Sequence, residues 1–434
     1  MKKGVVVLLL LLAVIVLVSP AIVGRLAEQS MDENIDWAAM ESGAVKVTSE
    51  HFDRGWFSSE GQHRVELQEG DLLTALQMLT GPLDADDLPV LVINTRLDHG
   101  LIPVSSMARE KGSRAPGLGS AISTLQLEAP DGELIDLPGT IYSKVALGGE
   151  LQSNYVLEAG NRDVDGADAE WGRTSIEVTT DPRNGAVSYE GDVGSFSVQA
   201  DGDRMRLVGL RFEGHQQPTK YGIAVGDVSA RLDELSFGEA GAITSFAADA
   251  ESALDGDRVD ARASLKSAIA GMPPFNDMQV DMAFTLSGAD AQTLGALQRA
   301  AEEAAGATDP MAIYGTLEAD ARRLFAAGFE FDVDRIKVAL PQGEISSTMA
   351  FSFAASDPAS FEWASLLLGT EASIDLAIPV ALVDMMGQDN PQVAMAIGGG
   401  YLLKNGDVYE MKARLKKGLL TVNGAPIPLP LGPQ

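Results

Sequence analysis

The sequence predicts an α+β protein, mostly antiparallel β: an N-terminal transmembrane helix followed by a long β meander with a helical insertion. Three observations predict it. Apolar side chains recur at every second position over much of the chain, punctuated by Asp-Gly and Asn-Gly pairs, the pattern of strands joined by tight turns. Residues 4–24 carry no charged side chain. Alanine- and leucine-rich stretches between residues 290 and 327 switch to helical spacing, which marks an insertion of a different kind.

The elements follow in order. Gly4 to Gly24 is rich in Val and Leu; as a helix it spans about 31 Å, matching a bilayer core of about 30 Å. Lys2 and Lys3 precede it, which favours a cytoplasmic N-terminus and places the rest of the chain on the far side. The run exceeds the apolar core of a cleaved signal peptide, so residues 1–25 are expected to remain as a signal anchor. A polar segment follows to about residue 48. Val45–Thr48 and His63–Leu67 alternate on either side of Gly55, as a pair of strands would. Leu72, Leu73, Leu76 and Leu79 have helical spacing, and Val90–Leu97 reads as a buried strand. These features make residues 26–120 an N-terminal β/α region.

Residues 121–285 read as an antiparallel β region. Period two dominates from Ile122 to Phe237, with turns at Asp131-Gly132, Asn184-Gly185 and Asp201-Gly202. The acidic stretch 160–172 interrupts it and reads as a loop. Residues 286–434 hold the helical insertion and C-terminal β hairpins. Asp290 opens one helix, and Asp309-Pro310 opens a second that ends at Gly328, in keeping with capping preferences. Alternation then returns around Phe329–Leu340 and Ile345–Phe353. Asn390-Pro391 begins a short helix ending in Gly398-Gly399-Gly400, and Lys404–Asp407 turns a hairpin. Prolines 426, 428, 430 and 433 stop the sheet.

Composition excludes whole classes of chemistry. The 434 residues carry 62 acidic and 32 basic side chains, a net charge of −30, which would repel a nucleic-acid backbone. There is no cysteine, so disulfide scaffolds, thiol nucleophiles and cysteine-held metal clusters are ruled out. Asp84, Asp86 and Asp87, and Asp163, Asp165 and Asp168, have alternate spacing, but neither group completes a calcium loop. No phosphate-binding glycine loop occurs. No cofactor, metal or nucleic-acid partner is expected.

One catalytic constellation needs weighing. Ser58 and Ser59 lie close in sequence to His51, Asp53 and His63, the residue types of a serine hydrolase. No nucleophile elbow surrounds them, so the expectation is no enzyme, with a hydrolase as an alternative. Arg54, Gly55, Trp56 and Phe57 are candidates for contact with a membrane or partner, since Trp56 and Phe57 stand together in a chain with only 6% aromatics.

Phe52 to Ser59, containing Gly-Trp-Phe-Ser, resembles the signature of the YdgA-like family of bacterial envelope proteins, a domain of unknown function. His99-Gly100 is similar to that family's His-Gly-Pro position, with Leu101 where proline is usual. Gly418–Gly424, with Asn423 and Gly424, resembles its terminal motif. Ser58, Ser59, His99, Gly100, Asn423 and Gly424 are therefore family-motif candidates. The resemblance implies a protein anchored in the bacterial inner membrane with its bulk in the periplasm, linked to envelope maintenance or motility. A meander behind an anchor is also similar in architecture to AsmA-type proteins, which hold lipid in a β groove. The expected partners are the membrane, through residues 4–24, and a lipid or an envelope protein on a sheet surface. The alternative is an interaction module for an envelope machine. The sequence leaves the oligomeric state open.

Overall fold

A computed structural model describes residues 45–54, 58–67, 90–99, 117–128, 132–164, 167–200, 203–238, 241–272, 275–305, 310–359, 361–387 and 390–428. The expected anchor at 4–24, the polar segment before Val45 and the helix over Leu72–Leu79 lie outside these residues. Among the described residues no helix is long and apolar enough to cross a membrane. The chain divides into two compact units, one ending at Pro218 and the other beginning at Thr219. The helical insertion read near residue 286 therefore falls inside the second unit.

The first unit is a meander of β1 (Val45–Arg54), β2 (Ser58–Leu67), β3 (Val90–His99), β4 (Gly117–Glu128), β5 (Leu134–Ala146), β6 (Leu151–Leu157), β7 (Gly160–Val164), β8 (Ala167–Trp171), β9 (Thr174–Asp181), β10 (Ala186–Ala200) and β11 (Asp203–Pro218). Neighbours are antiparallel, in the order β1-β2-β3-β4-β5-β6-β9-β10-β11. The segment 160–172 is not the loop its composition suggested. It is the β7–β8 hairpin, and β8 also pairs with β10 at Phe196↔Trp171. Register runs unbroken from Leu157↔Thr174 to Gly160↔Trp171. Thus β6–β7 and β8–β9 are two long strands, each bent near its middle. Cross-strand pairing overrode the acidic, turn-like composition.

One face of this sheet is a closed core. Val65, Leu91 and Leu127 lie in one row across β2, β3 and β4, and Ile141, Tyr155 and Ile176 in another across β5, β6 and β9. All are buried. Several of the polar groups admitted to this face pair with one another, as low-dielectric surroundings favour. Thr95 and Ser123 hydroxyls lie 2.7 Å apart, and those of Ser143 and Ser153 2.9 Å apart. The Tyr155 hydroxyl donates to Pro138 O at 3.1 Å, and burial pushes its pKa well above the ordinary phenol value. On the opposite face Gln62, Asn94, Gln126 and Asp136 form a hydrogen-bonded ladder across four strands, with steps of 2.7–2.8 Å. Farther along the long strands the apolar side switches face. Ala169, Phe196 and Val198 are buried together with Trp171, Met205 and Leu207 packed on them, one residue out of phase with Ile176 and Val193. Strand twist allows this switch. It occurs at Gly172 and Gly194, and a Cβ on Gly172 would lie 2.7 Å from Ser195 Oγ.

The second unit comprises β12 (Ala224–Leu232), β13 (Glu234–Phe237), β14 (Ala242–Asp255), β15 (Arg258–Met272), β16 (Phe275–Asp290), α1 (Ala291–Ala305), α2 (Pro310–Ala327), β17 (Phe329–Leu340), β18 (Gly343–Phe353), α3 (Trp363–Gly369), β19 (Thr370–Pro379), α4 (Val380–Gly387), α5 (Pro391–Gly398), β20 (Leu403–Asn405), β21 (Val408–Lys416), β22 (Leu419–Val422) and β23 (Ala425–Ile427). Its sheet is again an antiparallel meander, β12-β14-β15-β16-β17-β18-β19-β21-β22-β23. The helices start and stop as their capping residues dictate. Asp290 Oδ1 accepts the Thr293 N–H at 2.8 Å. Gly328 takes φ +73°, and its Cβ would meet Phe353 O at 2.8 Å. Asn390 Oδ1 accepts from Gln392 N at 3.0 Å ahead of Pro391.

Candidate functional site on the apolar face of the second sheet

The residues singled out in the sequence fall mainly at the start of the first unit. Gly55, Trp56, Phe57 and Gly100 lie outside the described residues, as do the side chains of Arg54, Ser58 and His99. The backbone register is clear: Arg54 pairs with Ser59, Ser58 with Asp98, and His99 with Gly119. The two motif segments around Ser58 and His99 therefore meet at one end of the β2–β3 pair, although 41 residues separate them in sequence.

Among the described side chains, Ser59 is not assembled into a hydrolase site, and the Ser58 side chain lies outside them. Ser59 and His63 are buried, at 1% and 2% exposure, on the core side of β2. Four residues of strand separate them, about 13 Å. His51 and Asp53 are exposed on β1 and bond each other at 2.9 Å. Asp53 pairs with exposed Glu60, so it projects to the face opposite Ser59. A nucleophile needs its base within hydrogen-bond reach. Asp163 and Asp168 face each other across the β7–β8 hairpin. Among the described residues no group of three or more His, Asp or Glu gathers as a metal site.

Asn423 and Gly424, by contrast, have a defined place. They form the turn between β22 and β23, with φ +50° and +82°. Asn423 Oδ1 accepts the Lys412 N–H at 2.8 Å, and its Nδ2 donates to Gly400 O at 2.9 Å and Tyr401 O at 3.1 Å. The side chain ties the β21–β22 hairpin to the segment after α5.

The broadest feature with functional character is one face of the second sheet. Strand pairing aligns Leu286, Phe331, Phe351, Ala372 and Leu415 in one row. Phe284, Val333, Met349, Ile374 and Ala413 form the next, then Met282, Ile336, Leu376 and Met411 with the buried Ser347 between Ile336 and Leu376, then Val280, Val338, Ile345, Ile378 and Tyr409. Phe331 stacks with Phe284 and Phe351 at 6.5 and 6.4 Å between ring centroids. In the first unit the corresponding face is buried from Val65 to Val193. Here nearly every side chain of these rows is only half-buried, Val333 and Ser347 excepted. Apolar area of this extent on a sheet normally meets a second layer.

The helices cover only one end of it. Ile223, Val259 and Ala291 form a buried cluster with Leu254 and Leu294 packed on it, which seats α1 against the end row. Phe325 of α2 packs on Phe329, Phe353 and Trp363 at 4.9–5.8 Å. Glu318 accepts from Trp363 Nε1 at 3.2 Å and Arg322 at 3.1 Å, and these bonds lower its pKa, the indole bond most. The rows from Phe351 to Ile345 remain, about 20 Å of strand. That exceeds the ~15 Å of hydrocarbon in one leaflet. At the far end β19 runs directly into α4.

The reverse face is charged and self-neutralising. Arg414 is bidentate to Asp375 at 2.8 and 2.9 Å. Arg335 meets Asp281 at 2.8 Å, Arg231 meets Asp249 at 2.6 Å and Lys416 meets Glu371 at 2.9 Å. Burial, with Asp334 and Glu330 adding to it, raises the Asp332 pKa.

Sequence reasoning missed much of this face. Strands β14–β16 are among the longest in the unit, yet alanine and serine fill many of their positions, so their alternation has low amplitude. The phenylalanine positions on β17 and β18 were readable; that they stay only half-buried among the described residues was not.

A model of the family described as a bacterial protein of unknown function (DUF945) matches residues 1–430. No curated protein and no solved structure matches the chain.

Proposed function

Since the chain belongs to this bacterial family, DUF945, we propose a role drawn from its own geometry: a non-enzymatic envelope protein that holds lipid acyl chains along the apolar face of its second sheet. A single N-terminal anchor at residues 4–24 keeps it in the inner membrane, with the bulk of the chain in the periplasm and a part in envelope maintenance. The observation that carries the reading is the half-exposed apolar face between Phe351 and Ile345, backed by a face of ion pairs. A sheet with one charged side and one apolar side that is only half-buried presents hydrophobic surface, and extended surfaces of this kind mark interaction sites. Acyl chains suit it better than a folded partner's core, because the rows are long and mostly aliphatic or aromatic. The Ser59–His63 separation on the core side of β2 supports the non-enzymatic part.

Native mass spectrometry of the full chain extracted in mild detergent tests this. Phospholipid should leave with the wild-type protein, and Met349→Asp, which puts a charge among half-buried positions, should reduce its retention while leaving the circular dichroism unchanged. A wild-type protein free of lipid, or a stoichiometric protein partner in its place, would favour the interaction module.

A further inference from the structure

The far end of the apolar face carries a feature that the holding of acyl chains does not require. Beyond Pro379 the chain leaves the sheet, forms α4 and α5, and returns to β20. Leu382 and Val383 of α4 are buried and root the hairpin, but α5 has no buried residue. Met395 is 67% exposed, Met385 50% and Leu403 49%. From Val380 to Leu403 the charged side chains are Asp384 and Asp389 alone, within a chain whose net charge is −30.

We propose that the two helices α4 and α5, Val380–Gly387 and Pro391–Gly398, with the segment that follows to Leu403, seat in the surface of a lipid bilayer. The inference rests on the lipid-holding reading above, for which the hairpin is the point of exchange between sheet and membrane. Three observations select a bilayer as the occupant. First, the backbone at the C-terminal end of α5 is prepared for an apolar medium, where unsatisfied carbonyls are costly. Gly399 N–H donates to Met395 O at 2.8 Å, Gly400 N–H to Ile397 O at 3.1 Å, and Tyr401 and Leu402 N–H to Ala396 O at 2.9 and 3.1 Å. The Asn423 amide covers Gly400 O and Tyr401 O. Second, the outward side chains include flexible methionines with Tyr401 at the base, a set suited to disordered acyl chains and a headgroup boundary. Third, charge disfavours a second copy of the chain, since two such acidic molecules repel, whereas a zwitterionic bilayer carries no net charge. Each helix of eight residues is also only about 12 Å long, little area for a stable protein interface.

The chain has no cysteine, so single labels are unambiguous. Met395→Cys, Met385→Cys and, as a control in the first unit, Leu134→Cys would each carry a polarity-sensitive fluorophore. Leu134 is 50% exposed, like Met385. The full-length proteins are reconstituted into phosphatidylcholine liposomes with and without doxyl-labelled phosphatidylcholine. The labels at 395 and 385 should shift to the blue and lose intensity to the doxyl lipid, while that at 134 does neither. Water-like emission without quenching at both hairpin sites would overturn the proposal. Lipid retention, read separately by mass spectrometry, keeps the two ideas apart. Retained lipid with unquenched hairpin labels removes the hairpin inference alone. Quenched labels without retained lipid leave the hairpin in the bilayer and remove the holding function.

Discussion

Asn423 shows how one side chain can be half legible. An Asn-Gly pair between apolar runs reads as a tight turn, and both residues do take positive φ, +50° and +82°. Asparagine tolerates that region better than most residues. What local sequence could not give was the purpose of the amide, whose partners include Gly400 and Tyr401, 23 and 22 residues away. These bonds depend on how β21 and β22 bring the turn against the end of α5. Asn423→Ala loses an acceptor for Lys412 N–H and donors to two carbonyls, and keeps the strained backbone angle. It should destabilise the second unit by about 1–3 kcal/mol. Asn423→Gly relaxes the backbone and should fall between the two. Urea unfolding of the three proteins measures this; an Ala variant as stable as wild type would mean the amide is a bystander. Ser59 and His63 make the opposite point. Their closeness in sequence suggested convergence, but a strand separates side chains on one face by about 6.6 Å for every two residues.

At the scale of elements, strands with bulky alternation and helices with capping residues were readable. Val90–Leu97, Phe329–Leu340 and the helix starts at Asp290 and Asn390 all have local causes. The β7–β8 hairpin was not readable, and the alanine-rich strands β14–β16 were readable only as part of a β region and not one by one, because their neighbours define them through cross-strand pairing. A similar dependence sets the join between β10 and β11. The Phe212 ring folds over Gly191 beside Tyr189, whose ring centroid is 6.3 Å away, and a Cβ on Gly191 would lie 2.2 Å from the Phe212 ring. The glycine gives the aromatic ring its seat. Gly191→Ala should therefore expel the ring and cost about 1–3 kcal/mol, the range for overpacking. Phe212→Leu in the same chain should restore part of the loss. Hydrogen exchange of β10 and β11 amides reads this locally; unchanged protection in Gly191→Ala would show that the ring has somewhere else to go.

For the whole molecule, charge is the strongest influence that composition alone supplies. Even if every one of the 32 basic side chains neutralised an acid, thirty carboxylates would remain. Exposed pairs such as Lys46–Glu66 and Arg262–Glu251 contribute little, and salt weakens them. Net repulsion therefore decides the sign. Screening shortens from about 30 Å at 0.01 M to about 3 Å at 1 M ionic strength, so the melting temperature should rise across that range. A flat or falling trend would show that the paired charges outweigh the excess. The sequence by itself determined the antiparallel class, the acidity, the absence of thiol chemistry and the positions of the helical insertion, because each follows from composition or from local periodicity. Only the tertiary structure decided that, among the described residues, the apolar face of the first sheet is largely buried while that of the second is half-buried. Alternation states which side of a strand is apolar and is identical for both outcomes. What lies over that side depends on where α1 and α2 pack, and they cover the end near Val259 and Phe353 while the rows toward Ile345 extend beyond them.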